Sequence, residues 1–156
     1  RELKKSCERV IVLFHGGKEH YRYPSPMLQK IFQKFATCGA DYVIAQHTHC
    51  IGCAERFGDA LLIYGQGNFL FDHSKSEFWQ TSLLIEIALD EAGDRVEFYP
   101  LRKTGATTRL AEGEDAAQIL TDFDTRSREI LQEGFVEERY KKFADEMASD
   151  YCQRVS

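Results

Sequence analysis

A strand–helix–strand pattern in the first fifty residues constrains the fold of this chain most strongly. The apolar run at residues 10–14, rich in β-branched side chains, predicts a buried strand. Ser25 and Pro26 predict the start of a helix, as N-cap and first helical residue, and Gly39 predicts its end. A second apolar run at residues 42–45 predicts the next strand. Strand, helix and strand in this order form a βαβ unit with parallel strands.

The remainder of the chain predicts hairpins and then helices. Apolar residues that alternate between turn residues predict two β-hairpins, at residues 52–65 and 81–101. Helical spacing of apolar residues predicts two C-terminal helices, at about 114–132 and 136–154, with Gly134 between them. The fold class is therefore α/β, followed by two C-terminal helices.

Length and charge limit the classes of protein to which the chain can belong. With 156 residues it has the size of one ordinary domain, and its net charge of -5 argues against a dedicated nucleic-acid binder. The charge is uneven, because residues 111–156 carry 12 acidic and 6 basic side chains. This shift predicts a domain at 1–110 and an acidic helical tail at 111–156 that packs on it. No window approaches about 18 consecutive apolar residues, so no transmembrane segment is predicted.

The five cysteines favour a reducing compartment, because an odd number at irregular spacing makes a poor disulfide framework. Cys50 and Cys53 form a C-x-x-C pair, which in a redox protein should open a helix. Here the next residues predict a strand, and a second C-x-x-C that would complete a zinc site is missing from the sequence. We therefore expect both to be small buried hydrophobic residues.

Three histidines follow the two strands of the βαβ unit. His15 comes directly after the first strand, and His47 and His49 come after the second. Loops at the carboxyl ends of parallel strands are where α/β folds build their sites. Two imidazoles two residues apart point to the same side of an extended segment and can bind one metal ion or two neighbouring ions. The alternative is an exposed turn without a role, but the flanking strand and the third histidine favour a metal site.

Two further polar residues lie in neighbouring loops. Glu19 follows His15 by four residues, and it is a candidate partner of a metal ligand or a general base. The alternative is a solvated loop carboxylate. Asn68 lies in a glycine-containing turn and could offer its amide to an anion or a metal ion. The alternative is a tight turn in which Asn68 holds its own backbone.

Five segments occur together in one order along the chain. They are His15-Gly16-Gly17-Lys18-Glu19, Pro24-Ser25-Pro26, Gly39-Ala40-Asp41, His47-Thr48-His49-Cys50 and Gly65-Gln66-Gly67-Asn68-Phe69-Leu70-Phe71-Asp72. Over about residues 10–125 the chain resembles the bacterial capsule synthesis family CapA, also called the poly-γ-glutamate biosynthesis (PgsA-like) proteins. These are relatives of the calcineurin-like metallophosphatases.

The resemblance implies a four-layer α/β/β/α sandwich with divalent metal ions at the strand ends. The intact protein would hold two ions of manganese, iron or zinc. The implied metal ligands are His15, His47 and His49, and the implied catalytic residues are Glu19 and Asn68. The implied substrate-binding positions are Gly16, Gly17, Gln46 and Gly67. Gln46 departs from the family, which has glycine before its histidine pair.

The resemblance also implies that part of the family pattern is missing. The acidic segments expected before the first histidine have no counterpart upstream of His15. The chain therefore resembles the C-terminal half of a longer protein, and we expect the strand at residues 10–14 to be an open edge. The missing half, a second copy of the chain or a swapped helix could cover that edge. The residues expected to form the covering surface are Tyr140, Phe143, Met147 and Tyr151.

Two functions follow as expectations. The first is that of a metal-dependent hydrolase of phosphoester or related bonds in capsule or poly-γ-glutamate biosynthesis. The second is that of a non-catalytic assembly or export factor for an anionic envelope polymer. With either function of the intact protein, we expect this fragment by itself to be inactive. The cysteines favour a cytoplasmic location, whereas the resemblance favours the cell envelope.

Overall fold

The structure is a computed structural model that describes residues 2–71 and 76–155. Its helices and strands, in chain order, are β1 (Ile11–His15), α1 (Pro26–Thr37), β2 (Tyr42–Gln46), β3 (Ala54–Phe57), β4 (Ala60–Ile63), β5 (Thr81–Ala88), β6 (Arg95–Thr104), β7 (Thr107–Leu110), α2 (Gly113–Glu129) and α3 (Phe135–Val155). Two 3₁₀ helices, Leu3–Lys5 and Glu77–Trp79, complete the regular structure of the described residues. Every predicted strand and helix is present, and β7 is the strand that the sequence did not predict.

The βαβ unit is confirmed. Strands β1 and β2 are parallel, with His15 beside Gln46 at their carboxyl ends. The Ser25 hydroxyl accepts a hydrogen bond from the backbone N–H of Leu28 at 3.1 Å, which caps α1 as predicted. Gly39 ends the helix with φ +103°, a conformation that favours glycine.

The two predicted hairpins belong to different sheets. Strands β3 and β4 are antiparallel and join the first sheet, whose order is β1-β2-β4-β3. Strands β5 and β6 pair antiparallel and, together with β7, form a second sheet of three strands. The segment of β7, Thr-Thr-Arg-Leu, has no alternation of apolar and polar residues, so its sequence carries no strand pattern.

Two hydrophobic cores lie on the two faces of the first sheet. Val43 and Leu62 belong to the core on the face covered by α1 and the start of α3. Ile44 and Ile63 face the second sheet, in a core that also contains Phe123 of α2. This is an α/β fold with two sheets and three helices. The four-layer sandwich is not confirmed, because the described helices pack on these two cores and Leu84, on the outer face of β5, is 51% exposed.

Strand β1 lies at the edge of the first sheet. Ile11 is 44% exposed and Leu13 is 70% exposed, because the second sheet does not cover this end of the first sheet. Of the four residues expected to form a covering surface, Met147 and Tyr151 on α3 are 45% and 68% exposed. Tyr140 and Phe143 pack on Tyr21, in the loop after β1, with ring centroids 5.8 Å and 4.4 Å away.

Two other expectations concern membrane-spanning segments and the division of the chain into domains. None of the described helices is both long enough and apolar enough to cross a bilayer. The division of the chain at residue 110 stays a prediction.

Candidate metal centre at the strand ends

Glu19, His47 and His49 form a compact group of potential metal ligands. The loop after β1 supplies Glu19, and the loop after β2 supplies both histidines. One ligand atom from each residue lies within 4.8 Å of the other two. The shortest described contact in the group joins His47 Nε2 and Glu19 Oε1, at 3.8 Å. The carboxylate and the imidazole are therefore neighbours without being hydrogen-bonded, and all three side chains reach solvent.

Asn68 fixes the orientation of the His49 ring. The Asn68 side chain is buried, and its Nδ2 donates to the carbonyl oxygen of His49 at 3.1 Å. This bond turns Asn68 Oδ1 toward His49 Nδ1, which is 2.8 Å away. Because an amide oxygen only accepts, Nδ1 carries a proton, and Nε2 is the nitrogen with the lone pair in the neutral ring. Metal-binding histidines usually have this arrangement, with one nitrogen held by a hydrogen bond and the other available to the ion.

His15 lies beside this group. Its ring centroid is 4.9 Å from that of His47, and the His47 and His49 centroids are 5.9 Å apart. The three histidines thus meet at one edge of the first sheet, as the parallel strands predicted. The compact group nevertheless contains Glu19 and not His15. Glu19 was expected to act as a catalytic residue and His15 as a metal ligand, and both roles stay predictions.

The backbone at the two histidines adopts conformations that are uncommon outside glycine. His47 has φ +105° and His49 has φ +58°. A left-handed conformation at a residue with a side chain costs about 1–3 kcal/mol, and such strain clusters at functional sites. Two backbone hydrogen bonds hold this loop against the loop after β1: Gly16 N–H donates to the Gln46 carbonyl at 2.9 Å, and His20 N–H donates to the Thr48 carbonyl at 2.8 Å. The fold therefore maintains a strained loop that presents both imidazoles.

These loops lie within a segment that known proteins share. Residues 1–73 match the family model of the bacterial capsule synthesis protein PGA_cap. The chain resembles the bacterial capsule synthesis family, as expected. The matched segment includes Glu19, Asn68 and the three histidines at the strand ends.

Two curated relatives agree with the family match. The chain is 28% identical over 101 residues to the PGA biosynthesis protein CapA of Bacillus subtilis (strain 168), which covers 64% of this chain and 26% of that protein. It is 26% identical over 93 residues to the capsule biosynthesis protein CapA of Bacillus anthracis, covering 60% of this chain and 22% of the relative. The chain therefore spans about a quarter of the length of these capsule biosynthesis relatives.

Aromatic rings line one side of the histidine group, and the sequence did not single them out as parts of a site. Trp79 stacks on His49, with ring centroids 4.4 Å apart and planes 18° apart. Its Nε1 donates to Nε2 of His20 at 3.1 Å, and the His20 ring stacks in turn on Phe78. Its position in the sequence could have indicated Trp79, because this residue lies just before β5 and soon after the turn that contains Asn68.

Close approaches between chain segments account for two of the glycines expected to contact substrate. A Cβ at Gly17 would lie 2.8 Å from Thr48 Cγ2, and one at Gly67 would lie 2.8 Å from the Thr81 carbonyl oxygen. Both positions also have positive φ. The roles of these glycines in substrate binding stay predictions, as do those of Gly16 and Gln46, and Asp72 of the same turn lies outside the described residues.

The C-x-x-C pair lies behind the site and is confirmed as part of the interior. Cys50 and Cys53 are fully buried. Burial raises the pKa of Cys50 to about 11, so its thiol is protonated at neutral pH. Neutral thiols in this setting act as small hydrophobic groups.

Proposed function

We propose that this chain supplies a divalent metal centre to a protein of capsule or poly-γ-glutamate biosynthesis, and that the intact protein is a metal-dependent hydrolase of phosphoester or related bonds. The observation that carries this proposal is the group of Glu19, His47 and His49, whose ligand atoms lie within 4.8 Å of one another. The names of the two relatives support the biological setting, since both record capsule or PGA biosynthesis.

The residues present suit a divalent ion. Imidazole nitrogens and a carboxylate form the mixed ligand set of zinc, iron and manganese sites. Around one ion at about 2.1 Å, two ligand atoms lie at most about 4.2 Å apart, so a small side-chain rotation would close the group on an ion. Bound there, a divalent ion supplies Lewis acidity and makes an attacking water more acidic. Asn68 occupies Nδ1 of His49 at 2.8 Å, which leaves Nε2 as the nitrogen of His49 that is available to the ion.

A second ion would need ligands beyond those of this group. His15 is placed beside His47 and is the candidate first ligand for it. Among residues 2–71 and 76–155, the group of Glu19, His47 and His49 is the only set of three potential ligands. The remaining ligands are therefore proposed to come from another segment of the intact protein.

The open edge of the first sheet supports the same proposal. Strand β1 has one strand neighbour among the described residues, and Ile11 and Leu13 on its face are exposed. An exposed apolar edge strand is a site for pairing with further strands. The preceding half of the intact protein is the proposed partner, because it would complete the four-layer sandwich and bring acidic residues to the end of the strand beside His15.

The second candidate function is non-catalytic assembly or export of an anionic envelope polymer. The observation that favours it is that both relatives are named for biosynthesis of a polymer and not for hydrolysis. In this case the metal centre would hold polymer carboxylates without turnover.

The two functions can be separated with the intact protein that contains this chain. Manganese or zinc binding is measured by isothermal titration, and turnover is measured with a chromogenic phosphodiester. The hydrolase proposal expects metal-dependent turnover that is lost in the double variant His47→Ala, His49→Ala and retained in His20→Ala, a matched loss of one nearby imidazole. Full metal occupancy without hydrolysis of any phosphoester, ester or amide would refute it. Intact capsule in cells that carry the double variant would show that polymer assembly does not need the metal centre.

A further inference from the structure

A cavity of about 210 Å³ is lined in part by the two loops that carry the candidate metal centre. The loop after β1, the 3₁₀ helix Glu77–Trp79, β6 and α2 enclose it. The loop after β1, which carries Glu19, contributes Arg22 to the lining. The loop after β2, which carries His47 and His49, contributes Ile51.

Arg126 is a buried cation on the α2 side of the cavity. Only 8% of its surface is exposed, and its Nε donates to the carbonyl oxygen of Gly52 at 2.9 Å. Within the described part of the chain, no carboxylate oxygen lies within 4.0 Å of its guanidinium nitrogens. Burial lowers the pKa of Arg126, and the positive charge of Arg22 lowers it further. The two arginines therefore repel each other across the cavity.

Arg22 is poorly compensated as well. Its nearest carboxylate oxygen among the described residues is Oε1 of Glu77, at 3.7 Å, and the Glu77 side chain is 80% exposed. Its Nε is buried and has no hydrogen-bond partner in the described structure. The guanidinium lies 4.9 Å from the ring centre of Phe78, which holds it in place without satisfying its donors. Buried donors in folded proteins nearly always have an acceptor, so this one requires an explanation.

Carboxylates also line the cavity, and they are Glu77, Asp115 and Asp122. Arg102 forms an ion pair and two hydrogen bonds with Asp115. Asp122 accepts a hydrogen bond from Gln118 at 2.7 Å. The Asp122 carboxylate keeps its charge and raises the pKa of Arg126 in part, so what distinguishes the two arginines is hydrogen-bonding capacity that is not met, at Arg22 Nε above all.

We infer that Arg22 and Arg126 bind an oxyanion, which is either a carboxylate or a phosphate. Arginine is suited to this task because its planar fork of N–H groups matches both oxyanions. A bound oxyanion would give Arg22 Nε an acceptor and would remove the repulsion between the two guanidinium groups. Within the proposed function, this anion is a side-chain carboxylate of a γ-linked glutamyl chain or the phosphate of an ester. Only the identity of the ligand rests on the proposed function.

Binding is tested without metal, so that failure of the metal centre and failure of this site can be distinguished. The protein in a chelating buffer is titrated with a short γ-glutamyl oligomer and, separately, with inorganic phosphate, and its melting temperature is measured with each ligand. Arg22→Gln removes the unsatisfied donor. Arg128→Gln, which removes one exposed charge from the same helix as Arg126, is the matched control. We expect Arg22→Gln to weaken oxyanion binding by about ten- to a hundred-fold, and Arg128→Gln to leave it unchanged.

Stability without ligand gives a readout that a structural role of Arg22 would not share. Arg22→Gln should leave the melting temperature unchanged or raise it, because the substitution removes a repulsive charge. Glu77→Gln should strengthen oxyanion binding. A lower melting temperature in both variants would show that Glu77 already compensates Arg22 and would overturn the inference. Equal oxyanion binding in wild type and Arg22→Gln would overturn it too. Tighter binding of the oligomer than of phosphate identifies the carboxylate source, and the reverse identifies a phosphate.

Discussion

Two polar clusters lie against the first sheet and differ in how well their polar atoms are paired. Glu55 is 8% exposed, and it accepts hydrogen bonds from Tyr64 at 2.7 Å and from Gln29 and Gln33 at 3.2 Å. Glu19 has a side chain that is 56% exposed, and its described neighbour, His47 Nε2, is 3.8 Å away.

The difference separates a structural group from a binding group. The Glu55 carboxylate is surrounded by donors of the chain itself, so its place in the interior needs no ligand. In the Glu19 group, His49 Nδ1 is held by Asn68, whereas Glu19 Oε1 and His47 Nε2 lie 3.8 Å apart without a hydrogen bond between them, on a loop where His47 has φ +105°. A protein retains such strain where the arrangement serves a function. The predictions that follow test this contrast, beginning with the largest expected effect.

Removal of both histidines should abolish metal binding and leave the fold intact. The double variant His47→Ala, His49→Ala should lose more than about a hundred-fold in manganese or zinc affinity, since loss of an outer partner alone costs about ten- to a hundred-fold. Its free energy of unfolding without metal should fall by about 1–3 kcal/mol, because buried Asn68 loses the ring of His49 as a hydrogen-bond partner. Titration calorimetry and urea unfolding measure the two quantities. Unaltered metal affinity would show that the group of Glu19, His47 and His49 is no more a binding site than the cluster around Glu55.

Removal of the Glu55 carboxylate should lower the stability of the fold and leave metal affinity unchanged. Glu55→Ala leaves Tyr64, Gln29 and Gln33 without their common acceptor, and we expect a loss of about 3 kcal/mol in the free energy of unfolding. Metal affinity at the strand ends should not change. Asp59→Ala, which removes an exposed carboxylate from the β3–β4 turn, is the control for charge. A variant as stable as wild type would mean that the hydrogen bonds to Glu55 contribute nothing net.

Asn68 binds both the backbone carbonyl and the ring of His49. Its loss should therefore lower metal affinity, but by less than the loss of both histidines. Asn68→Ala frees His49 Nδ1 and permits the wrong tautomer, and metal affinity should fall by about ten- to a hundred-fold. Asn68→Asp keeps an acceptor for Nδ1 and should bind metal more tightly than the alanine variant. Equal affinities of Asn68→Ala and wild type would exclude a positioning role for this residue.

The strain at His47 can be measured by comparing two small residues. His47→Gly and His47→Ala both lose the imidazole, but only glycine adopts φ +105° without steric conflict. The glycine variant should therefore be more stable than the alanine variant by about 1 kcal/mol in urea unfolding. If alanine is equally stable, the loop after β2 is not strained.

The pH dependence of stability provides the smallest effect, at a third polar cluster. Arg9 donates to Asp94 at 2.6 Å and 2.9 Å, and Tyr42 donates to it at 2.8 Å. These hydrogen bonds, that of Arg9 above all, hold the pKa of Asp94 below its usual value. A lowered pKa in the folded state stabilises the protein above the unfolded-state pKa of about 3.9, and this contribution is lost as pH falls below that value. Asp94→Asn should therefore flatten the fall in unfolding free energy below about pH 4.

The matched control for this cluster is Asp145→Asn, which breaks an exposed ion pair with Lys141 on α3. Its pH profile should follow that of the wild type. Parallel profiles for Asp94→Asn and wild type would show that Asp94 titrates alike in the folded and unfolded chain.

Local patterns were sufficient to predict most of the fold. The βαβ unit, both hairpins and all three long helices follow from apolar spacing, caps and turn glycines, because these elements depend on near neighbours in the chain. The edge position of β1 was expected from the resemblance to the capsule synthesis family and from no local pattern, and the strand order β1-β2-β4-β3 agrees with it. Strand β7 could not be predicted, because its pairing with β6 is a tertiary contact without an apolar pattern of its own.

Part of the candidate site was predictable, because it depends on the order of strands and helix along the chain. Parallel strands bring His15, His47 and His49 to one edge of the sheet, so their convergence follows from the βαβ order. The pairing of Glu19 with His47 depends on the path of a loop, which no periodicity describes. The stacking of Trp79 on His49 joins residues that are thirty positions apart in different layers, and only the packing of the second sheet on the first brings them together.

That stacking makes the protein its own spectroscopic probe. Trp79 is the single tryptophan of the chain, so its indole emission reports on one place only. An imidazole 4.4 Å from the indole quenches its emission more strongly when it is protonated, and a paramagnetic ion bound to that imidazole quenches it further. Occupation of the strand-end centre should therefore be visible as a change in brightness of the unlabelled protein, without a substrate and without turnover.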